Sequence, residues 1–273
     1  MPPVKGGLFR RAFFVAASLF GLAFFLGVSV LALFRIVVLK WERDPATRWW
    51  LDRWSGTMMR ILGWTLSVDH PERLVAHRPA VLVVNHQSNL DAVVWAAFYP
   101  DSTVAIGKKQ IGLIPVFGWL FKATRNILID REDAARARTS IAQAVDRIKR
   151  ERWRVWMAPE GHRNQGPEML PFKKGAFHLA IAAQVPVVPI VVGPLSPILD
   201  ARRLLVVPGH IEVRVLEPIL TAGMKDQDLP ALLARTRAAM DAVRRELFAA
   251  APRGPEETAT RGTYRGASSG SAS

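Results

Sequence analysis

Residues 83–95 read VVNHQSNLDAVVW, from Val83 to Trp95. Just upstream, Ala80-Val-Leu-Val-Val84 carries no polar side chain. Such a run suits a strand buried on both faces. Downstream, Asp91 opens an apolar run to Tyr99 that suits a buried helix. Strand, short polar loop and helix together begin a βα unit, and this sets the expected fold class. The loop holds two titratable groups, His86 and Asp91, with Gln87, Ser88 and Asn89 between them. On one straight helix, residues five apart are rotated by about 140° and do not face each other. His86 and Asp91 can meet only if His86 sits in the loop and Asp91 near the helix start. Catalytic groups concentrate on loops held by a rigid scaffold.

The same alternation continues outward from that unit. Apolar runs at Ala80–Val84, Thr103–Ile106, Asn126–Ile129, Arg154–Met157, Val187–Val192, Leu204–Val207 and Ile211–Leu216 predict strands. Longer segments at Asp91–Tyr99, Ala134–Glu151, Lys173–Gln184 and Leu229–Ala249 predict helices. The expected fold is α/β, with a mixed, largely parallel sheet flanked by helices. Three regions are expected: membrane-anchoring helices over residues 1–70, a catalytic domain over 71–250 and a disordered tail over 251–273. The tail is rich in Gly, Ser, Ala, Thr and Arg and has few large apolar side chains.

Ala12 to Phe34 reads AFFVAASLFGLAFFLGVSVLALF, 23 residues without a charge. At about 1.5 Å per residue it reaches across the roughly 30 Å of a hydrocarbon core. It is too long for the apolar region of a signal peptide and has no clear cleavage site, so a retained membrane helix is expected. Lys5, Arg10 and Arg11 precede it, and Arg35, Lys40 and Arg43 follow. Flanks so nearly balanced give no firm orientation by the positive-inside rule. A second segment, Trp49 to Leu66, mixes tryptophans with arginines. It suits an interfacial amphipathic helix, or a helix packed on the core. The two segments could form a hairpin embedded in one leaflet.

The net charge of +14 favours anionic partners. No nucleic-acid-binding signature accompanies it, so nucleic acid is not expected as a partner. The chain has no cysteine, which excludes disulfides, thiolate metal sites and a cysteine nucleophile. No metal-ligand spacing occurs among the histidines, and neither a metal nor a bound cofactor is expected.

A carboxylate bonded to one ring nitrogen fixes the imidazole tautomer and leaves the other nitrogen as a base. Ser88 lies in no G-x-S-x-G elbow, so the simpler target is a substrate hydroxyl. The structural alternative is that Asp91 only caps a helix and His86 only fills a turn.

Asn85-His86-Gln87-Ser88-Asn89-Leu90-Asp91 resembles the H-x4-D signature of the glycerolipid acyltransferases, the 1-acyl-glycerol-3-phosphate acyltransferase family. Further blocks follow in that family's order. They are Lys108 to Trp119, Asn126-Ile-Leu-Ile-Asp-Arg131, Pro159-Glu-Gly-His-Arg163, Leu170-Pro-Phe-Lys-Lys-Gly-Ala-Phe177 and Val185-Pro-Val-Val-Pro-Ile190. The resemblance covers roughly residues 60 to 220. One departure is His162, where the family most often carries threonine.

The resemblance implies transfer of an acyl group from acyl-CoA or acyl carrier protein to a glycerol hydroxyl. For lysophosphatidic acid the product is phosphatidic acid. It implies His86 as general base and Asp91 as its orienting partner. Arg131 and Arg163 are expected on the acceptor's phosphate, since a guanidinium binds two phosphate oxygens at once. Gly161 would let the backbone approach the ligand, and Glu160 is expected to bind substrate on resemblance alone. Lys108 and Lys173 are further substrate-binding candidates, with Lys109 and Lys174 beside them. Backbone N–H groups near the start of the helix after the motif are candidate donors to the oxyanion. The expected setting is the cytoplasmic face of an inner membrane. Competing readings are the same chemistry on glycerol-3-phosphate or another lysolipid, or a non-catalytic protein that binds anionic lipid.

Overall fold

The computed structural model describes residues 7–129, 144–252 and 254. Two helices come first, α1 (Gly7–Val37) and α2 (Arg43–Leu62). The main sheet is built from β1 (Trp64–Asp69), β2 (Ala80–Val84), β3 (Thr103–Lys108), β4 (Ile127–Ile129), β5 (Arg154–Met157), β6 (Val187–Val192) and β9 (Gly209–Val215). A short separate ribbon pairs β7 (Leu199–Asp200) with β8 (Leu205–Val206). The remaining helices are α3 (Glu72–Ala76), α4 (Asp91–Phe98), α5 (Phe117–Ala123), α6 (residues 144–151), α7 (Gly175–Ala183) and α8 (Leu229–Ala250).

The strand order is β1-β9-β6-β2-β5-β3-β4. Strands β4, β3, β5, β2 and β6 all run parallel. β9 runs antiparallel to β6, and β1 pairs parallel with β9. The expected mixed, largely parallel sheet flanked by helices is therefore present. Its five parallel strands bring the loops after β2, β3, β5 and β6 to one edge, where ligands gather in open α/β sheets.

Strand β2 shows why its sequence is apolar throughout. Val81 and Val83 enter one core with α6, α7 and α8, packed around Phe177, Leu179 and Met240. Ala80, Leu82 and Val84 enter the other, against Met58 of α2 and Val93 and Val94 of α4. The period of two along a strand sends alternate residues to opposite faces, and here both faces are covered.

Helix α1 is sorted differently. Ala17, Val28, Ser29 and Ala32 are buried on one side. A methyl group at Gly21 would come within 2.9 Å of the Met58 thioether, so the tip of Met58 from α2 rests directly on α1. Trp50 Nε1 donates to Ser29 Oγ at 3.1 Å, further along the same seam. The opposite side exposes Leu19, Leu22, Val30 and Phe34.

Several boundaries differ from the sequence reading. The segment Trp49–Leu66 is not one helix: α2 ends at Leu62 and Gly63 turns the chain into β1. Gly63 has φ +67, and a Cβ there would meet the Pro208 ring at 2.8 Å. Trp64–Asp69 alternates buried and exposed positions on the sheet edge, which resembled the tail of an amphipathic helix. Leu204–Val207 supplies only the short β8, outside the main sheet. α2 packs on the core through Leu51, Met58, Met59 and Leu62. The expected helix Ala134–Glu151 is described from residue 144 onward, and its first part lies outside the described residues, as does nearly all of the expected tail.

Candidate active site

His86 leaves β2 in the loop, and Asp91 is the first residue of α4. His86 Nδ1 lies 2.6 Å from Asp91 Oδ2. A carboxylate in that position accepts from Nδ1–H, which leaves the Nε2 lone pair as the base. Oδ2 also accepts the backbone N–H groups of Gln87 and, at 3.0 Å, Ser88. Asp91 is 1% exposed and opens the first turn of α4. The His86 side chain keeps 29% of its surface exposed.

The intervening polar residues hold the loop. Asn85 Nδ2 donates to Val192 O at 2.9 Å, and Val192 N donates back to Asn85 Oδ1 at 2.7 Å. Gln87 Nε2 donates to Gly193 O at 2.9 Å, while its Oε1 accepts Leu195 N. Both side chains are buried and tie the histidine loop to the end of β6. Asn89 Oδ1 accepts from Arg163 Nη1 at 2.7 Å.

The loop after β5 grips the main chain of His86 from both sides. Asn164 N donates to His86 O at 2.8 Å, and His86 N donates to Glu160 Oε1 at 3.3 Å. Glu160, expected to bind substrate on resemblance alone, is placed inside the protein. The residue is 1% exposed, and Oε2 accepts Asn164 Nδ2 and Leu170 N, each at 3.0 Å. Its oxygens are occupied by the protein. Behind it lies Arg244, fully buried on α8. Arg244 donates to Asn164 O at 2.8 Å and to Gly166 O at 2.6 Å, so it holds the same loop by its carbonyls. Burial lowers the Arg244 pKa from its ordinary value, and nearby Glu160, Asp91 and Asp241 oppose that shift.

Sequence reasoning missed Arg244, although a signal existed. The buried positions of α8 run Leu232, Thr236, Met240, Arg244, Leu247. An arginine thus falls on the apolar stripe at helical spacing, where a charge needs partners.

Arg163, His162 and Gly161 line a cavity of about 1010 Å³ together with His86 and Lys108. Gly161 turns the backbone at φ +71, a conformation glycine adopts without Cβ strain. Lys173 does not line the cavity. Its stem lies over Gly161, where an added Cβ would meet Lys173 Cγ at 3.2 Å. Arg131 lies outside the described residues. The expected backbone donors at the start of α4 are largely taken: Gln87 and Ser88 N–H serve Asp91, Leu90 N–H serves Ser88 Oγ, and those of Asp91 and Val93 serve Ser88 O and Leu90 O.

Away from this polar mouth the cavity is apolar. Its walls include Phe14, Gly21 and Phe25 of α1, Trp50 and Trp54 of α2, Trp95 of α4 and Phe121 of α5. The ring of Trp95 is 5.0 Å from that of His86. The volume is at the upper end of the roughly 300–1,000 Å³ typical of small-molecule sites. His86, Arg163 and a set of apolar walls thus line one cavity.

Residues 65–193 match the Acyltransferase family model. The 1-acyl-sn-glycerol-3-phosphate acyltransferase beta of Homo sapiens is 37% identical over 199 residues, 67% of this chain and 69% of that protein. The 1-acyl-sn-glycerol-3-phosphate acyltransferase of Escherichia coli is 36% identical over 186 residues, 68% of this chain and 75% of that protein. The crystal structure of the LPA acyltransferase PlsC from Thermotoga maritima superposes with a TM-score of 0.70 at 21% identity, covering 91% of this chain and 98% of that one. It shares the fold. The paired His86 and Asp91, the ordered blocks around them and these relatives place the chain in the 1-acyl-sn-glycerol-3-phosphate acyltransferase family, as an O-acyltransferase.

Proposed function

We propose that the chain acylates the free hydroxyl of 1-acyl-glycerol-3-phosphate, using an acyl thioester of CoA or acyl carrier protein, and releases phosphatidic acid. The observation that carries this reading is the His86–Asp91 pair at 2.6 Å, at the mouth of the apolar cavity and beside Arg163. The reaction uses protein groups and its two substrates, without a metal or bound cofactor. Nε2 of His86 takes the hydroxyl proton as the oxygen attacks the thioester carbonyl. Asp91 orients the ring and stabilises the imidazolium. When the C–S bond breaks, the imidazolium returns the proton to the departing sulfur, giving the free thiol. Arg163, held on one arm by Asn89, binds the acceptor's phosphate with its remaining donors, and Lys108 adds charge at the rim. Arg131 joins that cradle by resemblance. Glu160 and Arg244 position the loop rather than touch substrate. The apolar chamber takes an acyl chain.

The chain is proposed to work at a membrane, on the cytoplasmic face of an inner membrane where its donors occur. Leu8–Val37 is a helix long and apolar enough to cross one. Yet Ala17, Val28, Ser29 and Ala32 pack on the domain along one side of that helix, which favours a helix embedded beside the domain in one leaflet. Glycerol-3-phosphate is the competing acceptor. It lacks an acyl chain, whereas the apolar chamber opens beside the base, and this favours a lysolipid. The deciding experiment follows thiol release from one acyl-CoA with lysophosphatidic acid, glycerol-3-phosphate or another lysolipid. Release stimulated by lysophosphatidic acid supports the proposal. Release that no phosphorylated glycerolipid stimulates overturns it.

A further inference from the structure

A second apolar surface lies outside α1. Leu113 is 80% exposed, Ile114 47% and Trp119 60%. All three belong to the segment that leaves β3 and enters α5. Their exposure is fixed by the backbone. Ile114 N donates to Ile111 O, and Gly118 N donates to Ile114 O at 2.7 Å. A Cβ on Gly118 would lie 2.6 Å from Ile111 O, so the segment is wound too tightly for any other residue there. Val116 takes φ +63, which a β-branched residue adopts only when its surroundings impose it.

This segment adjoins the exposed flank of α1. The Phe117 ring packs 5.5 Å from that of Phe25. On either side of Phe25, Leu22 is 59% exposed and Leu26 38%. Lysines border the apolar tip: Lys108 and Lys109 precede it, and the Lys122 stem lies against Gly112. A tryptophan with aliphatic neighbours and a lysine border matches a bilayer interface, with its apolar depth and anionic headgroups. A protein partner would not require the patch to be continuous with a helix as apolar as α1.

We infer that Leu113, Ile114 and Trp119 form a second membrane-inserting element that dips into the same leaflet as α1. It rests on the membrane reading above and adds what that reading lacks, a fixed depth and orientation. Two insertion points on one body set the tilt of the domain. Because Lys108, Ile111 and Phe117 line the cavity, the mouth beside His86 is held at the lipid surface.

The absence of cysteine makes a direct test possible. Ile114→Cys, Leu19→Cys and Leu220→Cys are each labelled with an environment-sensitive fluorophore on the full chain. Leu220 is 63% exposed and follows Ile219, which pairs with Val187 at the start of β6, the end of the sheet away from His86. Vesicles of phosphatidylethanolamine with phosphatidylglycerol are then added, with and without brominated acyl chains. The expected result is a blue shift and an intensity rise of about twofold or more at 114 and 19, quenched by the bromolipid, with no change at 220. A silent probe at 114 beside a responsive one at 19 overturns the inference and leaves the membrane reading standing. Silence at both overturns the two together. An equal response at 220 overturns the inference, since insertion would then have no preferred face.

Discussion

Arg244 Nη1 lies 3.9 Å from Glu160 Oε1, and neither side chain has any exposed surface. The contact links α8 to the loop after β5, and through Glu160 to the backbone N–H of His86. Removing one member of a buried pair leaves the other charged and unpaired, which costs about 3–5 kcal/mol. Arg244→Met should therefore lower Tm sharply. Arg244→Lys keeps the charge but loses the planar fork that reaches Asn164 O and Gly166 O. We expect the lysine variant to fold, with kcat down about tenfold or more because His86 and Arg163 shift together. The check is a double-mutant cycle with Arg163→Ala on kcat/KM for the acceptor. Strictly additive effects would show that Arg244 only stabilises the fold.

His86→Ala should lower kcat by about 10²–10⁴-fold, the usual contribution of a general base. The ring is partly exposed and contributes little to the core, so Tm should barely change. A variant that keeps a tenth of the wild-type rate would remove the assignment. Asp91→Asn should also lose activity, because a neutral amide does not support the imidazolium.

Arg163→Ala should raise the acceptor KM about tenfold and leave the KM for acyl-CoA nearly unchanged, with Arg163→Lys intermediate. An acceptor KM equal to wild type would place the phosphate elsewhere.

Gly21 lines the cavity where α1 meets Met58. Gly21→Leu adds bulk there, beside the Met58 thioether. Activity with long-chain acyl-CoA should fall by about tenfold relative to short-chain acyl-CoA, since each lost CH₂ of burial is worth about 0.8 kcal/mol. An unchanged chain-length profile would mean that the acyl chain does not reach α1.

Asn85→Ala should cost about 1–3 kcal/mol, because the buried Val192 N–H loses its acceptor and Val192 C=O is left with Gln87 Nε2 at 3.2 Å. Chemical denaturation measures this directly. A cost near zero would mean that these bonds do not fix the loop.

Local pattern determined much of this protein. The unbroken apolar run Ala80–Val84, the polar loop after it and the apolar helix from Asp91 announced a βα unit, because burial on both faces leaves no room for polar residues. Residue order alone also put His86 and Asp91 within reach, since a loop followed by a helix start folds five residues back on themselves. Edge strand β1 was hidden, because a half-exposed strand of six residues carries too weak a period to stand apart from the helix before it. Only the tertiary structure showed that Glu160 faces inward. Its partners Leu170 and Arg244 lie 10 and 84 residues along the chain, and no local rule brings them together. Burial and long-range pairing, rather than residue type, decided which charged groups line the cavity and which hold the scaffold.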